Sequence, residues 1–338
     1  MQRLYNPWRG RGLELEGMAD VPWPSVDMQA VGALLARCPF HDVTPLVRRD
    51  GFAGAGEVFV KDERARMGLG SFKALGAAYV IARDAVEGRV RGRTYVAASA
   101  GNHGLSVAAG AMAFGARAVI YLSEAVPEAF AERLRGIGAK VVRAGTTYEE
   151  SMTAALQAAE ENQWALLSDS SWPGYFDQPL RVMEGYLALA GEVVQAMDEP
   201  PTHILLQAGV GGLAASCAAL FRAAWGDYPR IIVVEPVAAP ALTESVRAGR
   251  AVVTAGPVSA MGRLDCKEPS LIALKGLARD ADTFVTISEE HAAAAMPQLA
   301  GAGLETTPSG GAGLAALLAM DPLGPDARVL CILSEAAE

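Results

Sequence analysis

The chain has 338 residues, 51% of them hydrophobic and 20% charged, which excludes a disordered polymer, and its 36 glycines follow no fibrous period. At roughly 150 residues per domain, this length favours two compact domains. A formal charge of −9, from 29 Lys plus Arg against 38 Asp plus Glu, together with the lack of any basic patch, disfavours a nucleic-acid partner.

The N-terminus, MQRLYNPWRG, lacks the apolar core of a signal peptide, and no apolar run approaches the ~18 residues that a membrane helix requires. The reading is a soluble cytoplasmic protein without a membrane partner. The first seventy residues look irregular, with one short strand candidate at Glu57 to Val60. Ser71 is a candidate N-cap for a helix whose apolar spacing runs from Phe72 to Ala82 and stops at Gly88. Strand and helix then alternate. Thr94 to Ala98, Ala118 to Leu122 and Val141 to Val142 are strands, with helices at Asn102 to Phe114 and from Pro127 to near Gly136. The phrases GARAV, from Gly115, and GAKVV, from Gly138, each end a helix and start a strand, a repeated unit that predicts a parallel sheet. A helix from Thr147 and a strand at Trp164 to Leu167 lead into the loop Ser168 to Gly174, where a domain crossover is expected. Beyond it come helices near Pro179 to Met197, Ala238 to Ala248, Ser270 to Ala278 and Glu289 to Ala300. Strands are expected at Ile204 to Leu206, Ile231 to Val234, Thr283 to Ile287 and Val329 to Leu333. The class is α/β throughout.

Lys73 stands out because the chain has 24 Arg and only five Lys, so positive charge alone is mostly supplied by Arg. Only an amine can lose its proton and condense with a carbonyl, and the apolar neighbours Phe72 and Ala74 are expected to lower its pKa; the structural alternative is a Lys that snorkels to solvent. Ser99-Ala100-Gly101-Asn102-His103-Gly104 opens a helix after a strand, where free N–H groups favour anions, and Gly104 and Gly110 suggest close packing. Gly209-Val210-Gly211-Gly212-Leu213-Ala214 has the spacing of a phosphate cradle in the same setting, with a plain tight turn between strand and helix as the structural alternative. Spelled GxGxxA with Glu235 beyond it, the stretch also matches a dinucleotide fingerprint and an NAD-dependent oxidoreductase, although that fingerprint usually opens a domain. Asp169 lies just past a strand end, with Trp172 and Tyr175 placed to exclude water and raise its pKa. Walker, GxSxG and HExxH patterns do not occur. The four His are scattered, and Cys38, Cys217, Cys266 and Cys331 form no CxxC pair, so neither a metal site nor a disulfide framework is expected. The carboxylate pairs Glu149 with Glu150 and Glu289 with Glu290 read as solvated helix starts.

An isolated Lys after Ser-Phe, SAGNHG, a glycine cup and a late PSGGAGLAAL, in this order, resemble the fold-type II pyridoxal-phosphate enzymes of the serine and threonine dehydratase group from about Lys61 to Ser334. Within it, Lys61-Asp62-Glu63, Gly68 to Lys73, Asp169 to Tyr175, Gln207 to Gly211 and Cys266-Lys267-Glu268-Pro269 are most similar to the diaminopropionate ammonia-lyases. The resemblance implies two open, twisted, mostly parallel sheets flanked by helices. It places a large cofactor domain at 1–90 and 175–338 and a small, mobile one at 91–174, with pyridoxal 5'-phosphate between them. It implies that Lys73 holds the cofactor beside Phe72, that Asn102 bonds its phenolic oxygen, and that Gly209, Val210, Gly211, Gly212 and Leu213 cradle its phosphate. Ser334 would face the ring nitrogen, and Ser99, Ala100, Gly101, Asn102 and His103 would hold the substrate carboxylate. Lys73 and Asp169 would be the catalytic pair for β-elimination from an amino acid such as 2,3-diaminopropionate, giving pyruvate and ammonia; a 3-hydroxy amino acid is the alternative. A homodimer is implied too. The group's acid for D-substrates falls at position 100, where this chain has Ala100, and the family's disulfide partner for Cys266 is absent. A catalytically silent binding protein on the same fold is the reading from outside enzymology.

Overall fold

The computed structural model describes residues 1–13 and 19–337. The first seventy residues are more ordered than their Pro and Gly punctuation suggests. They contain strand β1 (Gln2–Tyr5), helix α1 (Met28–Leu35), strand β2 (Leu46–Asp50) and strand β3 (Ala55–Asp62), twice the expected length. β1 and β2 are edge strands whose exposure pattern hides the alternation, while Asp27 caps α1 by accepting from the Ala30 N–H at 3.0 Å.

Helix α2 (Lys73–Val86), strand β4 (Thr94–Ala98), helix α3 (Asn102–Ala113), strand β5 (Arg117–Leu122), helix α4 (Glu128–Gly136), strand β6 (Lys140–Arg143), helix α5 (Tyr148–Asn162) and strand β7 (Ala165–Leu166) follow in rhythm. β6-β5-β4-β7 form an all-parallel sheet in that order, as the GARAV and GAKVV repeat predicts. Thr147 and Glu150 close a capping box on α5, so Glu150 is a cap. Helix α6 (Asp177–Ala196), β8 (His203–Gln207), α7 (Gly212–Trp225), β9 (Arg230–Pro236), α8 (Ala241–Ala248), α9 (Leu271–Asp280), β10 (Thr283–Ile287), α10 (Glu289–Gly301), α11 (Ala312–Ala319) and β11 (Gly324–Leu333) complete the chain. The second sheet runs β1-β10-β9-β8-β11-β3-β2, parallel except for its two edge strands. The sequence reading missed α11 because AGLAALLA is apolar on all sides and shows no helical period.

Alternation along the central strands explains the layering. Ile204, Leu206, Ile231, Val233 and Phe284 face a core shared with α2, α3, α6, α7 and α9, and Tyr95 and Ile120 of the smaller sheet face that same core. Leu205, Ile232, Val234 and Val285 point the other way, onto α10 and α11. Both faces are covered, so these strands read as continuous apolar runs. Helices α2 and α6 cross tightly: a Cβ on Gly185 would lie 2.5 Å from the Leu75 carbonyl oxygen, and one on Gly76 2.7 Å from a Val182 methyl. Gly110 serves the same purpose between α3 and α2, with Ile81 Cδ1 2.8 Å from the Cβ position. Among the described residues, no helix is long and apolar enough to cross a membrane.

Candidate active site

Lys73 is the first residue of α2, reached from β3 through a turn in which Met67, Gly68 and Gly70 all take positive φ. The helix starts one residue later than a Ser71 cap would place it, because Ser334 holds the chain first: the Phe72 N–H donates to the Ser334 carbonyl at 3.2 Å. Ser71 Oγ still accepts from the Lys73 N–H at 3.3 Å. Beneath the turn lies a buried cluster of charge. Arg66 donates to Glu63 at 2.7 and 2.8 Å and to Glu192 at 2.7 and 2.9 Å, and Lys61 reaches Glu192 at 2.5 Å and the Thr44 carbonyl at 2.6 Å. Lys61, Glu63 and Arg66 are at most 1% exposed, so two cations and two carboxylates balance inside the protein.

The Lys73 ammonium forms an ion pair with the Asp169 carboxylate, each side chain keeping about a fifth of its surface open. Lys73 Nζ lies 5.2 Å from the Phe72 ring centre and 5.9 Å from that of Tyr186, whose rings meet edge to face. This pair corrects two expectations. Burial alone would lower the Lys73 amine, but the adjacent Asp169 carboxylate outweighs it and holds the group above its ordinary value. Burial would likewise raise Asp169, yet Lys73, with His103 assisting, holds the carboxyl well below the usual range. Trp172 and Tyr175 stack on each other at 4.4 Å, and the Tyr175 hydroxyl donates to the Leu166 carbonyl at 2.9 Å.

The glycine loop follows β8 and ends on Gly211, whose φ of +99° only glycine adopts without strain and which caps α7 with no side-chain bond. The first-turn N–H groups of α7 therefore have no cap of their own. A Cβ at Gly209 would sit 2.9 Å from Cys266 Sγ and 3.0 Å from the Arg263 carbonyl oxygen, so the loop must be backbone alone. Built on Gly212, it would lie 3.7 Å from a Tyr186 ring carbon and 3.9 Å from the Asp169 carbonyl oxygen, which sets this cup beside the Lys73–Asp169 pair. Val210 is half-buried and Leu213 buried. Cys266 is a free thiol, pushed up to about 12 by burial and by Asp169.

Across the cleft, α3 begins on Gly101, again without a side-chain cap. Ser99, Ala100, Gly101 and Asn102 are half-buried, and Gly104 is required because a Cβ there would stand 2.1 Å from the Ser99 carbonyl oxygen. Burial lowers the His103 pKa; its Nε2 bonds the Leu167 carbonyl at 2.8 Å, and its buried Nδ1 has no partner. Asn102 Nδ2 donates to Glu335 Oε2 at 2.5 Å. Sequence reasoning passed over Glu335, the acid directly after Ser334 at the end of the last strand, where α/β sheets place their ligands. Ser334 itself is buried, and its N–H donates to the Gly310 carbonyl at 3.1 Å.

The nicotinamide reading fails on Glu235. That carboxylate is fully buried and accepts from the Leu242 and Thr243 N–H groups at 2.8 Å each and from the Thr243 hydroxyl at 2.6 Å. It caps α8, with burial pushing its pKa up to about 7, and is not open to a ribose. Glu289 is similarly engaged, holding the Ser259 hydroxyl at 2.6 Å and the Ala260 N–H at 3.0 Å.

A lysine amine, a cup of helix-terminal N–H donors beside it and a half-buried amide opposite together fit a phosphorylated carbonyl cofactor. Comparison with known proteins decides the point: residues 38–335 match the family described as pyridoxal-phosphate dependent enzyme. The chain belongs to that family. It is 30% identical to a diaminopropionate ammonia-lyase of Salmonella typhimurium over 286 residues, 76% of this chain and 70% of that protein. It is also 30% identical to a serine dehydratase-like protein of Mus musculus, over 85% of each chain. The solved structure of Escherichia coli diaminopropionate ammonia lyase with its aminoacrylate-PLP azomethine intermediate superposes with a TM-score of 0.87 at 27% identity, covering 99% of this chain and 93% of that one. The fold is fold-type II, pyridoxal phosphate is the cofactor, and the chemistry of this branch is elimination.

Proposed function

We propose that the chain is an ammonia-lyase that removes the β-substituent of an L-amino acid, with 2,3-diaminopropionate as its substrate. The observation that carries this reading is the Lys73–Asp169 ion pair beside the glycine cup. Pyridoxal phosphate, when bound, supplies the electron-withdrawing ring that acidifies the substrate Cα–H. Lys73 holds the cofactor through its Nζ, the N–H groups of Gly209 to Leu213 take its phosphate, the Asn102 amide faces its phenolic oxygen, and Ser334 faces its ring nitrogen. N–H groups of Ser99 to His103 at the start of α3 bind the substrate carboxylate. Asp169, held ionised, would receive the Cα proton, and Lys73, its amine freed when the substrate's own amine takes its place, would return a proton to the departing β-nitrogen. Phe72 and Tyr186 flank Lys73 Nζ with apolar rings. Diaminopropionate and one water thus give pyruvate and two ammonia. The mouse relative, matched over more of each chain than the ammonia-lyase, favours a 3-hydroxy amino acid as the second substrate class.

The test is the absorption spectrum of the loaded protein before and after borohydride. A visible band lost on reduction, with the reduced adduct mapped to Lys73, is the expected result; no band after incubation with pyridoxal phosphate overturns the reading. Release of pyruvate from β-substituted amino acids then separates the two substrate classes. The D-isomers are expected to be inert, because position 100 offers a methyl group and not an acid. Asp169→Asn is expected to lower kcat by about 10²- to 10⁴-fold, the usual contribution of a proton-transfer group. In the apoprotein the same change removes the main group that holds the Lys73 amine up, so burial, which lowers it, weighs more. Lys73 should then be acylated faster at neutral pH, and an unchanged rate would refute the assigned coupling. We further infer that residues 91–174 close over the site as a mobile unit and that the protein is a homodimer, which sedimentation at twice 35.2 kDa would register.

A further inference from the structure

Glu335 ties together the segments that carry the cofactor motifs. Its carboxylate accepts from Asn102 Nδ2 at 2.5 Å, pairs with Arg263 Nε at 2.9 Å, and accepts from the Thr307 hydroxyl. Its carbonyl oxygen accepts from the Thr306 hydroxyl at 2.5 Å, and its backbone bridges antiparallel to Ser71, two residues before Lys73. Arg263 in turn presents its carbonyl to the bare face of Gly209. A Cβ on Gly310 would sit 2.2 Å from Thr306 Oγ1 and 2.8 Å from Glu335 Cγ, which together account for a glycine there. The SFK turn, the start of α3, the wall of the glycine cup and the PSGG segment therefore meet on one residue, through its backbone and its carboxylate, and that residue is 4% exposed.

We propose that Glu335 is a positioning residue that fixes which way the Asn102 amide faces. A side-chain amide can present either its NH₂ or its oxygen to a neighbour. An ionised carboxylate only accepts, so it selects the NH₂ orientation and leaves the second N–H of Asn102 for the cofactor's phenolic oxygen. Arg263 neutralises the charge while sharing Oε2 with the Asn102 amide, and Thr307 takes the other carboxylate oxygen, so the carboxylate is held in place with its Oε2 lone pairs turned to the two donors. With a neutral amide at position 335, the Asn102 oxygen becomes an equally good partner and the orientation is lost.

This assignment rests on the lyase reading for what Asn102 faces, and the experiment separates the two. Glu335→Gln, Asn102→Ala and the double variant are prepared with and without pyridoxal phosphate. In the loaded proteins, Glu335→Gln is expected to move the pH midpoint of the visible band and to cut kcat about 10- to 100-fold with KM nearly unchanged, the scale of a misoriented catalytic contact. The double variant should be no slower than Asn102→Ala alone. An unmoved band, or a double variant that loses the product of the two single effects, overturns the proposal. Should Glu335→Gln fail to fold, Thr307→Val, which loosens the other carboxylate oxygen, must move the band in the same direction but less; an unmoved band overturns the proposal there too. In the apoproteins, non-additive melting temperatures for the 335 and 102 changes report the contact itself. Their appearance in a protein that shows no band with pyridoxal phosphate would refute the lyase reading while leaving the contact in place.

Discussion

Replacing Lys73 by Arg should leave a folded protein with no detectable elimination. Arg keeps the positive charge, so Asp169 retains a partner, but a guanidinium does not condense with a carbonyl. The loss in kcat is expected to reach 10³-fold or about that order, as for removal of a covalent catalytic group. Borohydride should no longer fix pyridoxal phosphate to the chain, and retention of the reduced label after gel filtration would sink the assignment. Lys73→Ala should lose the same activity and stability besides. It leaves the Asp169 carboxylate in a partly enclosed site with its main counter-charge gone, and burial is then the largest influence on that group. The contrast between the two variants separates the chemistry of the amine from the electrostatics of the pair.

Arg66→Met should be the most destabilising single change outside the cleft. Arg66 is fully buried, with its guanidinium shared between Glu63 and Glu192, and burial is outweighed by those carboxylates, which hold its pKa above the ordinary value. Methionine leaves two enclosed carboxylates facing Lys61 alone. Breaking a buried pair in this way costs about 3–5 kcal/mol. Arg48→Met is the control, since Arg48 also bonds two carboxylates, Asp50 and Glu57, but its side chain is 56% exposed. Screening by water leaves such a surface pair with little net worth. Urea unfolding of both variants tests the claim: equal losses would mean that burial of the Arg66 cluster does not set its importance. The cluster lies under the turn that delivers Lys73, so Arg66→Met should also weaken retention of pyridoxal phosphate.

Most elements from Lys73 to β11 were legible because they carry strong local signals. Thr147 with Glu150, Gly88, Gly115 and Gly138 mark where helices begin and end, and the repeated GARAV and GAKVV phrases dictate parallel neighbours. Lys73, Asp169 and the glycine loop drew attention for a different reason: a scarce amine, a strand end and a strand-to-helix turn are places where ligand chemistry competes with an ordinary structural use. What escaped were elements and charges whose meaning lies in distant partners. β1 finds its place against β10, some 280 residues on, and α11 has no polar face to reveal it. Glu235 looked like a ribose ligand until the fold put the start of α8 on it, and Glu335 looked like nothing until Asn102, Arg263 and Thr307 converged there. The sequence by itself determined the α/β class and the parallel pairing of β5 with β6, since backbone propensity acts locally, and it singled out Lys73 as the candidate amine. Only the tertiary structure decided the protonation of Lys73 and Asp169 and the role of each buried acid, because an ionisation is set by which charge lies within a few ångströms, and chain separation carries no information about that distance.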